Sequence, residues 1–296
     1  MTHKAPGPAV PESIVLATDL SARCDRALDR SAQLAAQWGA RLVALNVLDP
    51  VALPDQALAW ASGASDDELM HMARQELARD LAGLDVQAQP RIVRSSDPAT
   101  AIAQAAKAIR AGLVVTGVAR NEPLGRFLLG STVEQLARVL QPPLLVVRNR
   151  ARRPYRRVLV ATDFSAASLQ ALHTSACLFA GADLGVYHAH EAPLSGLAEV
   201  DARDAGLLAA RQRCAAFVAD SGLSATLRLQ TVVERGAVAS ALPRHVREHQ
   251  IDLVAVGAKG GGSLRDLLLG NTVAELLQWL PCDTLLVREL ATDSPG

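Results

Sequence analysis

The sequence predicts an α/β protein of two tandem domains, each a doubly wound parallel sheet of five strands with helices on both faces. A repeat is the first sign: IVLATDLS at 14–21 returns as VLVATDFS at 158–165, and LGSTVE at 129–134 returns as LGNTVA at 269–274. The two offsets, 144 and 140 residues, are nearly equal, which indicates duplicated domains and not a solenoid of short repeats. Each half also alternates Val- and Leu-rich runs with longer amphipathic stretches, which is typical of parallel strands covered by helices.

Strands and helices alternate through the first half. The runs that predict strands lie at 14–18, 42–47, 87–93, 113–117 and 144–148. The stretches that predict helices lie at 21–38, 66–83, 98–110 and 131–140. Two of these helices have start signals: Ser65 and Glu68 form a capping box, and Pro98 follows Asp97 as a first-turn proline. The proline-containing segment 49–65 is expected to be a loop over the strand ends.

The second half repeats this order. Its strands are predicted at 157–161, 184–189, 227–233, 252–256 and 283–287, and its helices at 166–181, 199–221, 237–248 and 271–280. We expect a disordered N-terminus at 1–11, domain 1 at 12–149, a linker at 150–156, domain 2 at 157–290 and a disordered tail at 291–296. Six of the ten residues from 148 to 157 are arginines. This run is either a solvated linker whose arginines pair with surface acids or an arm that binds phosphate or nucleic acid.

The composition argues against several classes of protein. The 30 basic and 30 acidic residues cancel, so no overall field attracts nucleic acid or a membrane, and 3% aromatic residues leave few rings on which bases could stack. The four cysteines show no C-x-x-C spacing, no secretory leader precedes them, and no apolar run approaches the about 20 residues of a membrane span. We therefore expect a cytoplasmic protein that has no membrane partner and little with which to bind nucleic acid.

A glycine-rich loop carries the clearest chemical signal. In domain 2 the pattern G-x2-G-x9-G is formed by Gly257, Gly260 and Gly270. Glycines permit positive φ and close backbone approach, and the free N–H groups at the start of the next helix add donors, so the pattern is typical of an anion site. Asn271 and Thr272 open that helix and can bond phosphate oxygens, while Lys259 can add a positive charge or simply be solvated.

Domain 1 carries a diverged copy of this loop. Gly117 and Gly130 match the first and third glycines, Arg120 replaces the second, and Ser131 and Thr132 open the helix. If the second position needs a positive φ, a side chain there costs roughly 1 kcal/mol or more. An arginine can instead bring charge to a phosphate, so both interpretations stay open.

With these residues in view, the chain resembles the universal stress protein family, as a tandem two-domain member, over nearly all of 12–290. The resemblance rests on Ala-Thr-Asp-Leu-Ser and Ala-Thr-Asp-Phe-Ser after the first strands, the glycine loop with its helix, and the closing strands at 143–147 and 282–287. The residues at 270–272 and 282–283 are most similar to the E-type tandem proteins of proteobacteria. The family implies an adenine nucleotide alpha hydrolase-like fold. It also implies that strands 144–148 and 283–287 pair antiparallel, which makes one chain an intramolecular pseudo-dimer; a homodimer of chains is a further expectation.

The resemblance also implies an ATP site, with or without Mg²⁺, across the carboxyl ends of the strands. Asp163 and Asp19 would lie beside the ribose. Backbone groups of Ala161 and Ala189, or of Ala17 and Val47, would contact the adenine. The phosphates would be held by Gly257, Gly260, Gly270, Asn271 and Thr272, or by Gly117, Gly130, Ser131 and Thr132. The family has Ser or Thr after the third glycine, so each domain departs from the pattern once. We favour domain 2, because the Asn271 amide still donates to phosphate whereas Arg120 changes the loop backbone.

Other interpretations stay open at this stage. Asp19 and Asp163 each precede a helix-start serine by two residues, so they can set the turn or cap the helix. His188 and His190 share a strand face but lack a third metal ligand. The leading hypothesis is a stress-response or signalling protein that binds adenine nucleotide and an unknown protein partner. The chain has no G-x-S-x-G, H-E-x-x-H or G-x-x-x-x-G-K-S/T motif, so a slow ATPase or nucleotidyl transferase is the weaker alternative. The third is a scaffold for protein or lipid with degenerate nucleotide sites.

Overall fold

A computed structural model describes residues 10–22, 24–49, 65–118, 131–191, 200–224, 227, 229–258 and 271–289. These residues form ten strands and eight helices, and contacts divide the chain into two compact units, with the division at Tyr155. We call the unit before Tyr155 domain 1 and the unit that begins there domain 2. The predicted disordered tail, nearly all of the predicted disordered N-terminus, and positions 50–64 of the predicted loop lie outside the described residues.

Domain 1 is a five-stranded parallel sheet with intervening helices. Its elements in chain order are β1 (Ser13–Thr18), α1 (Asp25–Trp38), β2 (Arg41–Leu48), α2 (Asp66–Leu81), β3 (Ala88–Arg94), α3 (Pro98–Ile109), β4 (Leu113–Gly117), α4 (Ser131–Val139) and β5 (Leu144–Val147). The strands lie in the order β3-β2-β1-β4-β5. The predicted helix starts are confirmed: Ser65 and Glu68 form a capping box before α2, and the Asp97 side chain caps α3.

Domain 2 repeats the architecture. Its elements are β6 (Arg157–Ala161), α5 (Ala166–Leu178), β7 (Asp183–His190), α6 (Val200–Asp220), β8 (Leu229–Arg235), α7 (Val238–Glu248), β9 (Leu253–Ala258), α8 (Asn271–Trp279) and β10 (Asp283–Arg288). The strands lie in the order β8-β7-β6-β9-β10, again all parallel. The predicted fold class is therefore confirmed for each domain, while the antiparallel pairing of the closing strands stays a prediction.

The predicted elements agree with the structure except at a few ends. Strand ends differ by at most two residues from those predicted. The largest difference is at α1, which begins at Asp25 and not at residue 21. The helix begins later because its N-cap is Cys24, which makes no side-chain capping bond, whereas Ser165 caps the equivalent helix of domain 2. The helix predicted at 166–181 also ends early, at Leu178.

Both domains bury the central strands on both faces. Three consecutive residues of β1, from Ile14 to Leu16, are at most 1% exposed, and the residues from Leu253 to Ala255 of β9 are fully buried. Such runs require helices on both sides of the sheet, because successive side chains point to opposite faces. Burial decreases at the carboxyl ends of these strands, where Thr18 and Gly257 are half-buried. This edge of each sheet is thus the place where polar chemistry can reach a ligand.

The Arg-rich segment is not a uniformly solvated linker. Arg148 is only 3% exposed, whereas the other five arginines of the run are exposed. The segment is held on α1, because Arg26 donates to the Arg148 carbonyl oxygen at 2.9 Å and Arg30 donates to that of Arg153 at 3.0 Å. Arg157 donates from its side chain to the carbonyl oxygen of His249 at 2.8 Å. These contacts give the run a structural role, and none of them involves a phosphate-binding arrangement.

Candidate functional site

The candidate site of each domain lies where the strand order reverses. β1 lies between β2 and β4, and β6 lies between β7 and β9. Ligands of open parallel sheets bind outside the carboxyl ends of the strands at such switch points. Asp19 directly follows β1 and Asp163 follows β6 after one residue, while Gly117 and Gly257 lie at the ends of β4 and β9. In each domain, the aspartate predicted to contact the ribose and the first glycine predicted to contact the phosphates therefore lie at the same edge of the sheet.

The positions predicted to contact adenine lie at the same edge. Ala17 is in β1, Val47 in β2, Ala161 in β6 and Ala189 in β7. In domain 2, Ala161 pairs with Tyr187, so Ala189 lies two residues nearer the carboxyl end of the neighbouring strand. Ala161 and Ala189 are both half-buried, which leaves part of each residue accessible.

In domain 2, Asp163 sets a turn and keeps an exposed carboxylate. Its Oδ1 atom accepts a hydrogen bond from the backbone N–H of Ser165 at 3.0 Å. The Ser165 hydroxyl accepts from the backbone N–H of Ser168 at 3.3 Å, which caps α5, and its side chain also donates to the Asp163 carboxylate. Burial disfavours the charged carboxylate, but hydrogen bonds from Ser165 outweigh it and lower the pKa of Asp163 below its ordinary value. Asp163 is therefore an ionised acceptor at the switch point.

In domain 1, Asp19 is occupied by its own loop. Its Oδ1 atom accepts from the Ser21 backbone N–H at 3.0 Å, from the Ser21 hydroxyl at 2.5 Å and from the Cys24 thiol at 3.2 Å. The helix α1 begins only after Cys24, which makes no side-chain capping bond. Burial, and then the charge of Asp19, raise the pKa of the Cys24 thiol to about 11, so it stays a protonated donor.

Both aspartates thus set the turn that follows the first strand, which is one of the two roles expected for them from the sequence. The Asp19 carboxylate accepts from Ser21 and Cys24, and the Asp163 carboxylate accepts from Ser165 and from the Ser168 side chain. Internal hydrogen bonds therefore occupy both carboxylates.

The turn places a non-glycine residue in left-handed backbone conformation in both domains. Leu20 has φ 59° and Phe164 has φ 66°. Such a conformation costs about 1–2 kcal/mol for a residue with a Cβ atom. The preceding threonine offsets part of this cost, because Thr18 Oγ1 accepts from Leu20 N–H at 3.1 Å and Thr162 Oγ1 accepts from Phe164 N–H at 2.9 Å.

The second strand fixes the same turn from the side. In domain 1 the Asn46 amide nitrogen donates to the carbonyl oxygen of Thr18 at 2.9 Å. In domain 2 the Nδ1 atom of His188 donates to the carbonyl oxygen of Thr162, also at 2.9 Å. This hydrogen bond to the threonine carbonyl was not predicted from the sequence, where His188 was considered only as a metal ligand. The available signal was a polar residue, Asn46, within the otherwise apolar second strand, together with the threonine common to both repeats.

A cluster of rings surrounds the turn in domain 2. The Phe164 ring lies 4.4 Å from the His188 ring and 5.8 Å from the Phe217 ring, measured between centroids, and the Arg213 guanidinium lies 4.6 Å from the Phe164 centroid. Domain 1 has Leu20 in place of Phe164, so it cannot form this cluster. Aromatic and cation–π contacts each contribute about 0.5–1 kcal/mol, so the turn of domain 2 is the more strongly held.

Gly257 has a packing role that the sequence did not reveal. A Cβ atom at this position would lie 2.3 Å from the carbonyl carbon of Ala167 and 2.5 Å from the backbone nitrogen of Ser168, both in the first turn of α5. Only glycine permits this approach of β9 to α5. The residue is therefore required for packing whether or not it also contacts a phosphate.

Only part of the predicted phosphate site lies within the described residues. Lys259, Gly260, Gly270, Gly130 and Arg120 lie outside them. Ser131 and Asn271 are the first residues of α4 and α8. Thr132 and Thr272 follow in the first turns, where free backbone N–H groups are available to an anion, and Thr272 is exposed.

A buried polar network distinguishes domain 2 away from this edge. Glu234 in β8 accepts from the Tyr187 hydroxyl at 3.1 Å and from His245 Nδ1 in α7 at 2.7 Å, and Arg244 approaches it at 3.4 Å. Burial disfavours ionised Glu234, but hydrogen bonds from His245 and Tyr187 outweigh it and lower the pKa of Glu234. The matching positions of domain 1 are Leu45, Val93 and Ala105. The network stabilises domain 2 in a way that domain 1 does not share.

His188 and His190 do not form a metal site with other residues that the structure describes. No group of three or more His, Cys, Asp or Glu side chains suited to a metal ion occurs among those residues. His188 is instead committed to the Thr162 carbonyl oxygen. The helices that the structure describes include none that is long and apolar enough to span a membrane.

Comparison with protein-family models gives two matches to the universal stress protein family, at residues 11–148 and 154–288. A universal stress protein from Archaeoglobus fulgidus DSM 4304 has a similar solved structure, with a TM-score of 0.66, 20% identity, and coverage of 94% of this chain and 98% of that one. One from Pseudomonas aeruginosa UCBPP-PA14 gives a TM-score of 0.63, 22% identity, and coverage of 94% and 93%. A comparison with curated proteins gave no match. At these identities the solved structures support the fold, and the family matches support membership.

Proposed function

The chain belongs to the universal stress protein family, with two family domains in tandem, and we propose that it binds an adenine nucleotide, ATP, at the switch point of domain 2. The observation that carries the proposal is the exposed, ionised carboxylate of Asp163 at the carboxyl end of the central strand β6. A carboxylate at this place can accept hydrogen bonds from both hydroxyls of a ribose. The half-buried ends of β6 and β7, at Ala161 and Ala189, offer backbone groups to the base.

Domain 2 is favoured over domain 1 because of the turn that carries its aspartate. Internal donors occupy both carboxylates, so a ribose would have to displace or share them in either domain. The turn that carries Asp163 is stabilised in addition by the ring of Phe164 and its cluster, where domain 1 has Leu20. A preorganised acceptor binds more tightly, because less ordering is required on binding.

The phosphates would be held at the start of α8, by its free backbone N–H groups and by the side chains of Asn271 and Thr272. The helix dipole favours negative charge at this end. We propose that the loop residues Lys259, Gly260 and Gly270 complete this site, and that Mg²⁺ accompanies the triphosphate. Gly257 contributes by allowing β9 to approach α5, so that the edge is compact.

The biological role that fits such a site is nucleotide-linked signalling in a stress response. A bound nucleotide stabilises the folded state and can change the surface that a protein partner recognises. None of the described residues of the site forms an activated nucleophile with an adjacent base, so we propose binding and not turnover.

The proposal is tested by calorimetric titration of Mg-ATP into the wild type, Asp163→Asn and Asp19→Asn. An asparagine keeps an oxygen that accepts from the residue-165 or residue-21 amide, so the turn is maintained while the charge is lost. We expect Asp163→Asn to weaken ATP binding about tenfold, since a hydrogen bond to a charged acceptor contributes about 1.5–3 kcal/mol. Asp19→Asn is the matched control and should change the dissociation constant less than twofold.

Two outcomes would contradict this assignment. An absence of heat with the wild type, at nucleotide concentrations that saturate ordinary ATP-binding proteins, would refute nucleotide binding. Equal weakening by the two substitutions would refute the preference for domain 2, and would indicate that Asp19 exchanges its internal donors for a ribose.

A further inference from the structure

One hydrogen bond is common to both domains but is made by different side chains. Asn46 and His188 occupy the same position of the second strand, and each donates at 2.9 Å to the carbonyl oxygen of the threonine at the end of the first strand. In domain 1 the two residues are direct partners in the register of β1 and β2, Thr18 with Asn46. An amide and an imidazole have little in common except an N–H donor at similar reach. The feature retained at this position is therefore the donor.

The acceptor of this hydrogen bond belongs to the peptide group that carries the functional aspartate. The Thr162 carbonyl is part of the peptide bond to Asp163, and its orientation sets the direction in which Asp163 leaves the strand. Two further hydrogen bonds stabilise the same turn. Thr162 Oγ1 accepts from Phe164 N–H, and Asp163 Oδ1 accepts from Ser165 N–H. Since Phe164 is in left-handed conformation, the turn needs such hydrogen bonds to persist.

In domain 1, the asparagine that provides this donor lowers the stability of the folded state. Asn46 is 2% exposed, and its Oδ1 atom is buried without a hydrogen-bond partner among the described residues. A buried unsatisfied carbonyl oxygen carries a desolvation penalty that an apolar side chain would avoid. The opposite amide orientation would place two oxygens together, so the nitrogen must face the Thr18 carbonyl.

His188 meets the same requirement with an additional contact. A carbonyl oxygen can only accept, so Nδ1 carries the proton, and it donates in both the neutral and the charged imidazole. The imidazole ring also packs against Phe164 at 4.4 Å, which restrains the residue in left-handed conformation. Asn46 has no ring with which to do this.

We propose that Asn46 and His188 are positioning residues, which orient Asp19 and Asp163 through the carbonyl of the preceding threonine. His188 makes the turn of domain 2 the more rigid, and so prepares Asp163 for a ribose. The effect on nucleotide affinity rests on the proposed function, whereas the effect on the turn does not.

The test compares full-length His188→Ala and His188→Asn with the wild type. Amide hydrogen exchange, followed by NMR, reports directly on the turn through the N–H groups of Phe164 and Ser165, and Leu20 and Ser21 serve as internal references. We expect His188→Ala to accelerate exchange of the Phe164 and Ser165 amides about tenfold, because one hydrogen bond is lost. In His188→Asn the same amides should exchange within about twofold of the wild-type rate. Asn46→Ala and Asn46→His form the reciprocal test on Leu20 and Ser21.

The same variants are titrated with Mg-ATP, where we expect about fivefold weaker binding for His188→Ala and recovery for His188→Asn. The inference is overturned if exchange at Phe164 and Ser165 is unchanged in His188→Ala, or if His188→Asn exchanges as fast as His188→Ala. If His188→Ala does not fold, His188→Asn and the Asn46 pair still decide the question. Wild-type protein that shows the exchange pattern but binds no ATP refutes the proposed function and supports the positioning role.

Discussion

The first strands of the two domains end in the same turn, but the packing around that turn differs. Both aspartates accept hydrogen bonds from the following serine, Ser21 or Ser165. In domain 2 the Phe164 ring packs against His188 and Phe217, whereas domain 1 has Leu20 at the position of Phe164. The helix that follows the turn also begins differently, since Ser165 caps α5 while α1 begins only after Cys24.

This comparison shows how a duplicated fold can keep a geometry and change its chemistry. Backbone conformation, the threonine acceptor and the donor from the second strand are present in both copies. What differs is the packing around the turn, where domain 2 adds an aromatic cluster and an arginine over the Phe164 ring. One copy can thus give its turn more support than the other while the fold stays the same.

The region between the sheet and the third helix of each domain differs in a second way. Domain 2 joins the buried Tyr187 and His245 to the half-buried Glu234 in a hydrogen-bonded network, where domain 1 has Leu45, Val93 and Ala105. A buried network is costly unless every member is satisfied. The two domains should therefore respond differently to substitution and to pH.

The largest effect is expected for Gly257→Ala. The added Cβ would lie within 2.5 Å of three backbone atoms of α5, and a backbone cannot move aside as a flexible side chain can. We expect a loss of about 3 kcal/mol or more in the free energy of unfolding of domain 2, measured by urea denaturation.

Gly181→Ala is the matched control for this substitution. Nothing lies within 4 Å of a Cβ at residue 181, and its φ is not left-handed. We expect its stability to change by less than about 1 kcal/mol. Similar stabilities for the two variants would show that β9 does not approach α5 this closely. If Gly257→Ala unfolds domain 2, substitutions at Gly257 cannot be used to test nucleotide binding, because a loss of binding would then reflect a loss of the fold.

A smaller effect is expected for Glu234→Val, which introduces the residue that domain 1 has. The hydroxyl of Tyr187 and the Nδ1 atom of His245 would lose their common acceptor while still buried. We expect a loss of about 2 kcal/mol in urea denaturation, typical of unsatisfied buried groups. Gln230→Val, at an exposed position of the same strand, should stay within about 0.5 kcal/mol. An unchanged stability for Glu234→Val would mean that the network contributes nothing to folding.

The smallest effect is the dependence of stability on pH. In the folded state the pKa of Glu234 lies below its ordinary value of 4.5. Burial raises this pKa, but hydrogen bonds from His245 and Tyr187 lower it by more. The folded state therefore binds fewer protons, so this contribution is fully present above the unfolded pKa and is lost as pH falls below about 4.5. Urea midpoints between pH 7 and pH 3 should fall less steeply in Glu234→Gln than in the wild type. Parallel curves would contradict the assignment.

The fold was predictable because its signals are local and repeated. Alternating apolar runs located the strands, and the two copies confirmed each other. The boundary of α1 was not predictable, because Ser21 and Ser165 stand at equivalent places in the sequence, yet only Ser165 caps a helix. The roles of Gly257 and His188 were also hidden. They depend on contacts with α5 and with Thr162, which are distant in sequence.

Hydrogen exchange of the wild type with and without Mg-ATP will show whether the nucleotide binds to domain 2 alone. We expect slower exchange in segments 161–168 and 271–275 and no change in the matching segments 17–24 and 131–135. Slower exchange in both domains, or in domain 1 alone, would contradict it.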